Sequence, residues 1–319
     1  MSRPHHIRPV FATLLALLLA LQSFQFAHAQ RRHGSSPLDT LGEDVSQKDG
    51  FEVLSNFRRL GIAADYRLNF QLRLMPRGEK TTTVPGVMLG TMNQMGPLSR
   101  LDVAIEPAEV SERGELTPAV TRRLLLQNGI FANAMELAET EEGPVPVSVT
   151  AEDYFEPIAG SDFTVFDLLM PFSYWQEFRY EGRTTMKGRP CHAFSMFPPE
   201  GNEELKERVS KVRIYLDEEF YALIRVEIFD ADEVKRKTIS VVSFKVVDGQ
   251  AVLSQVDVRD ELSRDKTRFK VLDAAMGVEL PSWVFQPEGL LQPVYGTQLA
   301  TAAAASVDEP EGTAGEQGE

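Results

Sequence analysis

The chain has 319 residues, of which 43% are hydrophobic and 25% charged, and its formal net charge is −14 at pH 7. This excess of acids argues against nucleic-acid binding and against docking on anionic lipid headgroups, because both partners attract clusters of Lys and Arg. A single cysteine excludes an internal disulfide, so burial of apolar side chains must hold the core.

The first 29 residues have the pattern of a secretory signal peptide. Arg3 and Arg8 precede an apolar run at 10–21, and residues 27–29, AHA, supply a small-x-small cleavage pattern. The alternative is a membrane anchor, but the run is shorter than the roughly 20 apolar residues that a span needs. We therefore expect cleavage near Ala29 and a location in the periplasm.

The remaining chain divides by composition into three parts. Residues 30–45 form a polar linker, and residues 46–292 carry the periodic apolar patterns of one folded domain. Residues 293–319 end in VDEPEGTAGEQGE, which has several acids, no base and few apolar side chains. Such a tail is expected to be disordered, because it has too little apolar surface to fold.

The domain begins with an amphipathic helix and continues with strands. Phe51, Leu54, Phe57 and Leu60 have helical spacing, and Gly61 is placed to end the helix. Residues 65–75, DYRLNFQLRLM, alternate between apolar and polar side chains, which predicts a half-buried strand. The Gly- and Met-rich residues 80–100 suggest a weak strand followed by a mobile loop, and residues 101–105 alternate again.

Two further patterns precede the second half of the domain. Asn128-Gly129 between apolar runs predicts a hairpin, with a helix as the alternative for its second part. Residues 160–171, GSDFTVFDLLMP, predict a short helix that Ser161 or Asp162 caps and Pro171 ends. In the following FSYWQEFRYEG, alternation puts Tyr174, Phe178 and Tyr180 on one face and Trp175 on the other, so Trp175 is expected to point away from them.

Six apolar runs joined by short polar turns follow, at 189–197, 209–217, 222–230, 238–247, 251–259 and 267–272. Strands joined by such short turns are neighbours in one antiparallel sheet. The runs at 222–229 and 238–247 are apolar on both faces, so both faces must be covered. Such a sheet either packs as a filled sandwich or curls around a cavity for an apolar ligand.

No pattern in the sequence predicts catalysis, a cofactor or a bound metal. Cys191 and His192 are adjacent in a predicted strand, so their side chains point to opposite faces and cannot share a proton or a metal. The acidic clusters at 217–219, 230–233 and 260–265 fall at predicted turns, where acids are commonly solvated. A hydrolase that uses two carboxylates stays open as an alternative.

The order of features in residues 160–291 resembles the outer membrane lipoprotein-sorting branch of the LolA-like superfamily. A GSDF helix with Asp167 and Leu168 comes first, followed by a strand with Gly188, Arg189 and Cys191 that ends at Pro198. A hairpin with Tyr215, Asp217, Arg225, Glu227 and Asp230 comes next. The resemblance implies a mainly β fold with a few helices, in which helices close a curved, incomplete antiparallel β-barrel.

The resemblance also implies a carrier that shields acyl chains of a lipid or lipidated protein in the periplasm, with an inner-membrane transporter as a further expected partner. No cofactor, metal or nucleic acid is expected. The alternative is a non-catalytic envelope interaction module with a filled core and a protein partner. The residues expected to line an apolar cavity are Phe70, Leu72, Tyr174, Phe178, Phe194, Met196, Ile224 and Val226.

Overall fold

The computed structural model describes residues 46–60, 64–110, 116–247 and 250–294. The expected signal peptide, the linker and nearly all of the expected tail lie outside these ranges, as does Gly61, and their boundaries stay predictions. No helix in the described ranges is both long and apolar enough to cross a membrane.

Thirteen strands of the described chain form one antiparallel sheet that is not closed. The order across the sheet is β6-β5-β4-β3-β2-β1-β13-β12-β11-β10-β9-β8-β7, so two meanders join where β1 pairs with β13. The strands are β1 (Tyr66–Met75), β2 (Thr82–Asn93), β3 (Gly96–Val110), β4 (Leu116–Gln127), β5 (Asn133–Thr140), β6 (Gly143–Ser148), β7 (Phe178–Met186), β8 (Arg189–Met196), β9 (Lys211–Asp217), β10 (Leu223–Phe229), β11 (Lys235–Val247), β12 (Gln250–Asp260) and β13 (Lys266–Met276).

Three short α-helices accompany the described strands. They are α1 (Gln47–Arg58), α2 (Val165–Leu169) and α3 (Glu203–Arg208). Residues 149–177, which connect the two meanders and contain α2, are called the inner segment below. They also contain the 3-10 helices Asp153–Phe155 and Pro171–Tyr174, and two more 3-10 helices, Ser282–Phe285 and Pro287–Leu291, follow β13.

The structure confirms the alternation that predicts β1. Tyr66, Leu68, Phe70 and Leu72 are buried on one face, which we call the inner face, while the polar residues between them are only partly covered. The first helix is confirmed as α1, in which Leu54 is fully buried.

Of the prediction for residues 80–100, the strand is confirmed, but the loop expected after it is wrong. These residues form the long strand β2 and the start of β3, joined by a tight turn. The glycines serve a packing purpose, because Gly86 pairs with Phe70 and Gly90 with Tyr66 across β1 and β2. A Cβ atom at Gly86 would lie 2.3 Å from Cζ of Phe70, so the aromatic ring occupies the space that a side chain would need.

The predicted hairpin at Asn128-Gly129 is confirmed, and its second half is the strand β5 rather than the alternative helix. The helix expected at 160–171 is confirmed as α2, but neither Ser161 nor Asp162 caps it. The cap is Thr164, whose hydroxyl accepts from the amide of Asp167, while the Asp167 carboxylate accepts from the amide of Thr164. This reciprocal pair is a capping box, which satisfies two amides at once.

The six apolar runs from residue 189 onward correspond to β8–β13, each paired with its neighbour in sequence. The expected face of Ile224 is wrong. The register shifts between Leu223 and Arg225, and as a result Leu223 packs with Val226 on the inner face. Ile224 lies on the opposite, outer face against Cys191 and Tyr215. A bulge of this kind inverts the alternation, which a pattern of residue types cannot reveal.

The inner segment packs against two apolar clusters on the inner face of the sheet. The first core cluster is built mainly on β1–β5 and includes Phe70, Leu72, Val103, Leu124, Phe163, Val165 and Leu169. The second is built on β7–β10 and α1 and includes Leu54, Phe166, Phe172, Trp175, Tyr180, Phe194, Met196 and Val226. Trp175 therefore shares a cluster with Tyr180, although alternation had placed them on opposite faces, because Trp175 precedes β7 in an irregular turn.

The outer face is covered unevenly in the described chain. Residues 280–294 pack on β2 through Val284 and Val294, which contact Val87 and Leu89. Arg100 is fully buried there, where its Nε donates to Asp102 at 2.9 Å and its Nη1 to the carbonyl of Gly289 at 2.7 Å. The expectation that both faces of residues 238–247 are covered is wrong for the outer face, where Val242, Phe244 and Val246 are exposed.

Candidate functional site

A cavity of about 270 Å³ opens between the inner segment, α3 and the ends of β10–β12. Its apolar side is formed by Phe155, Phe166, Val209 and Ile228, of which Phe166 and Val209 are almost fully buried. The volume lies just below the 300–1,000 Å³ typical of small-molecule sites. The cavity therefore holds only part of a larger ligand in this state.

Charged side chains of both signs line the rest of this cavity. Lys237 Nζ lies 2.7 Å from Oδ2 of Asp167, and Arg236 pairs with Asp230. Asp167 is buried, and Oδ2 also accepts from the amide and the hydroxyl of Thr164. Its other oxygen, Oδ1, is buried with no hydrogen-bond partner among the described residues. That oxygen is an acceptor available to a water molecule or to a ligand donor.

Asp162 and Arg208 complete the polar rim. Burial raises the pKa of Asp162, the neighbouring charges of Asp265 and Asp260 add to the rise, and the hydrogen bond from Thr267 at 2.7 Å opposes it. The guanidinium of Arg208 lies 5.6 Å from the ring centre of Phe155 and 3.9 Å from the carboxylate of the exposed Glu152. The site thus combines an apolar wall with hydrogen-bonding groups.

None of the eight residues expected to line a cavity borders this one. Phe70 and Leu72 belong to the first core cluster, and Phe194, Met196 and Val226 to the second. Phe178 packs against the second cluster, and Tyr174 lies in a 3-10 helix of the inner segment. Ile224 is on the outer face. Phe194 and Met196 are fully buried among protein side chains, so contact with a ligand would require the clusters to separate.

The sequence contained a signal for some of the cavity residues and none for others. Asp167 and Thr164 had a local signal, since a Thr followed three residues later by an acid resembles a capping box. Lys237 and Arg236 had none, because they are distant in sequence and only the sheet brings them to α2. Asp230 and Asp260 do lie at hairpin ends, as expected from their turns, and they border the cavity as well.

Cys191 and His192 lie on opposite faces of β8, as expected. Burial, together with the charge of Asp217, raises the pKa of the Cys191 thiol to about 11. His192 Nδ1 is 2.7 Å from the hydroxyl of Tyr180, and burial lowers the pKa of the imidazole. Within the described ranges, no group of three or more His, Cys, Asp or Glu side chains is arranged to hold a metal ion.

The buried carboxylates outside the cavity are matched by cations. Glu181 accepts from Ser195 Oγ at 2.6 Å and lies 2.9 Å from Arg213, and Glu227 lies 2.7 Å from Arg225. The positive charges of Arg225 and Lys235 outweigh burial and lower the pKa of Glu227. The Glu181–Arg213 pair connects β7 with β9 across β8, whereas Arg225 and Glu227 lie in the same strand, β10. These outer-face pairs explain how β7–β10 carry charge in a buried position.

Comparisons with known proteins agree on the fold. A family model described as "Uncharacterized protein" matches residues 146–292. No curated protein sequence matches the chain significantly. A crystal structure of an outer membrane lipoprotein-sorting protein domain from Vibrio parahaemolyticus is 13% identical, with a TM-score of 0.61, and the match covers 77% of this chain and 97% of that one.

Two further crystal structures are similar. A DUF1329 family protein from Desulfovibrio piger is 14% identical with a TM-score of 0.63, over 80% of this chain and 100% of that one. A LolA superfamily protein from Nitrosomonas europaea is 14% identical with a TM-score of 0.51, over 77% of this chain and 100% of that one. The chain therefore has the fold shared by LolA superfamily proteins and outer membrane lipoprotein-sorting domains, which confirms the resemblance seen in its sequence at the level of fold.

Proposed function

We propose that this protein is a periplasmic carrier that binds the acyl chains of a lipid or of a lipidated protein. The binding site is the space between the inner face of the sheet and the inner segment, and the sheet curls around it as an incomplete barrel. The cavity beside Asp167 is the entrance to this space. No cofactor or metal takes part.

The observation that carries the proposal is the way the inner segment is held. Its apolar side chains belong to the two core clusters, and side chains of α1 and of the sheet hold it by hydrogen bonds. Among these are two from Arg58 to the carbonyls of Ser173 and Trp175 and two between Thr267 and Asp162. Asn128 Nδ2 donates to the carbonyls of Leu168 and Leu169, at 3.0 and 2.8 Å, and Lys237 pairs with Asp167. A segment attached in this way can move as a unit and expose a continuous apolar surface.

An acyl chain is the ligand that compensates best for such a movement. Each buried methylene contributes about 0.8 kcal/mol, so a dozen methylenes contribute on the order of 10 kcal/mol. This gain replaces contacts that the inner segment loses when it moves. The polar groups around Asp167 and Arg208 then lie at the end of the site where the headgroup of a bound amphiphile would be.

Uptake of a fluorescent fatty-acyl probe tests the proposal. We expect saturable binding by the wild type and at least a fivefold weaker affinity for Ile228→Trp, because the indole fills the cavity. Leu272→Trp is the matched control, since Leu272 is 54% exposed and does not border the cavity. Circular dichroism checks that all three proteins are folded. A folded wild type that takes up no probe contradicts the proposal.

A second function is favoured by the dense packing of the clusters. Phe194 and Met196 are completely inaccessible in this state, which also fits an interaction module whose core stays filled. That module would take up no probe and would retain a specific protein partner from the envelope. The probe experiment therefore separates the two functions.

A further inference from the structure

Two neighbouring turns, whose residues do not line the cavity, carry an exposed apolar surface. They are residues 91–97, which contain the turn between β2 and β3 and the adjoining strand ends, and residues 127–133, which do the same for β4 and β5. Together we call them the tip. Four large apolar side chains are exposed there, Met92, Met95, Ile130 and Phe131, the last two at 69% and 74%. Ile130 and Phe131 are the two most exposed large apolar side chains in the described chain.

The two turns of the tip hold each other in place. The amide of Asn128 donates to the carbonyl of Pro97 at 2.8 Å, and Asn93 Nδ2 donates to Gln127 Oε1 at 2.7 Å. Gly129 lies so close that a Cβ atom there would be 2.5 Å from the carbonyl oxygen of Met95. The apolar side chains therefore project from a rigid platform, and little conformational entropy is lost when they bind.

The tip contains no charged residue. Its sequences are TMNQMGP and QNGIFAN, in a chain of which 25% is charged. Charged side chains resist transfer out of water, whereas Asn and Gln at an interface keep part of their hydration. Insertion of this tip into an apolar layer would therefore desolvate apolar side chains and uncharged polar groups only.

We propose that the tip docks on the surface of a phospholipid bilayer by inserting Met92, Met95, Ile130 and Phe131 into the interface. A stable protein partner needs about 800 Å² from each side, and four side chains on two adjoining turns supply a smaller, protruding surface. A bilayer accepts such a protrusion. The net charge of −14 and the uncharged tip together specify a zwitterionic rather than an anionic surface.

Flotation with phosphatidylcholine vesicles tests this proposal. The full chain is purified and its N-terminal residue is determined, so that wild type and variants are compared with the same start. We expect the wild type to float with the vesicles and the double variant Ile130→Glu, Phe131→Glu to lose at least tenfold in partitioning. Leu262→Glu is the control, because Leu262 is 64% exposed in the turn between β12 and β13, and it should partition like the wild type.

Two further measurements test the preferred lipid and separate bilayer docking from acyl-chain binding. Vesicles containing phosphatidylglycerol should bind the wild type more weakly at low salt, because the protein is acidic. Absence of flotation with phosphatidylcholine, equal losses in the control, or binding to anionic vesicles alone would each overturn the proposal. The tip does not border the cavity, so the double variant should take up the acyl probe normally, and failure of the carrier function would leave flotation intact.

Discussion

His192 illustrates how burial sets the chemistry of a single side chain. It is 6% exposed and bonded to Tyr180, and the same burial that lowers its pKa makes the neighbouring thiol of Cys191 a poor nucleophile. The two residues contribute to opposite faces of β8. The two residues are adjacent because they occupy one strand, and they do not act together chemically.

The lowered pKa of His192 predicts a pH dependence of stability. As the pH falls below 6.5, the ordinary pKa of histidine, His192 binds a proton in the unfolded chain but stays neutral in the folded protein. The free energy of unfolding therefore decreases from about pH 7 toward pH 5, with a slope of at most about 1.4 kcal/mol per pH unit. Urea denaturation at several pH values should show a flatter profile for His192→Gln. An unchanged slope would contradict this assignment.

At the scale of elements, the ion pair between β11 and α2 has a definite energetic role. The side chain of Asp167 is 1% exposed and that of Lys237 is 17% exposed. Removal of the cation leaves a buried carboxylate without its charge partner, and such losses cost about 3 kcal/mol. We therefore expect Lys237→Met to lower the free energy of unfolding by about that amount, measured by urea denaturation.

Lys206→Met provides the comparison for this variant. Lys206 pairs with Glu203 on α3 at 3.2 Å, but the side chain of Glu203 is 75% exposed. Exposed pairs contribute less than about 1 kcal/mol. Equal effects of the two substitutions would show that the attachment of α2 to β11 does not depend on the buried charge pair.

The elements differ in how far residue types alone specify them. Alternation identified β1, whose side chains switch between a buried and a more accessible face. The β8–β13 meander was identified by its apolar runs and the short polar turns between them, although β8 is buried on both faces. Alternation failed for β2, whose glycines look like loop residues until the rings of Phe70 and Tyr66 are placed over them. It also misplaced Ile224, because the bulge near the start of β10 reverses the faces of the residues that precede it in that strand.

The candidate site was less predictable than the fold. Helix capping by Thr164 follows from local chemistry and was within reach of the sequence. The cavity itself depends on contacts between residues far apart, such as Asp167 with Lys237 and Asp162 with Thr267. Such pairings depend on the register of the sheet. The eight residues expected to contact a ligand were selected only by the sheet face on which alternation places them, and their role stays a prediction.

At the scale of the whole molecule, an unclosed sheet must protect its two edges. Pro144 and Pro146 lie in β6, where they provide no amide hydrogen to an incoming strand. At the other edge, the side-chain amide of Gln47 donates to the carbonyl of Tyr180 at 2.9 Å and accepts from its amide at 2.8 Å. Gln47 thus occupies the hydrogen-bonding groups that another strand would use.

Replacement of both prolines tests the protection of β6. We expect the double variant Pro144→Val, Pro146→Val to self-associate, because two amides become available on a β-branched edge strand. Sedimentation velocity should show a sedimentation coefficient that rises with protein concentration. Pro199→Val changes an exposed proline outside the strands and should behave like the wild type. A concentration-independent double variant would mean that the prolines are not what protects this edge.

Asn128 connects the two parts of the molecule for which binding is proposed. Its backbone amide bonds to Pro97 within the tip, and its side chain bonds to the carbonyls of Leu168 and Leu169 at the end of α2. If cargo displaces the inner segment, these bonds would transmit the change to the tip, and thermodynamic linkage would make the effect on affinity equal in both directions. The residence time of such a carrier at a bilayer would then differ between its loaded and its empty form.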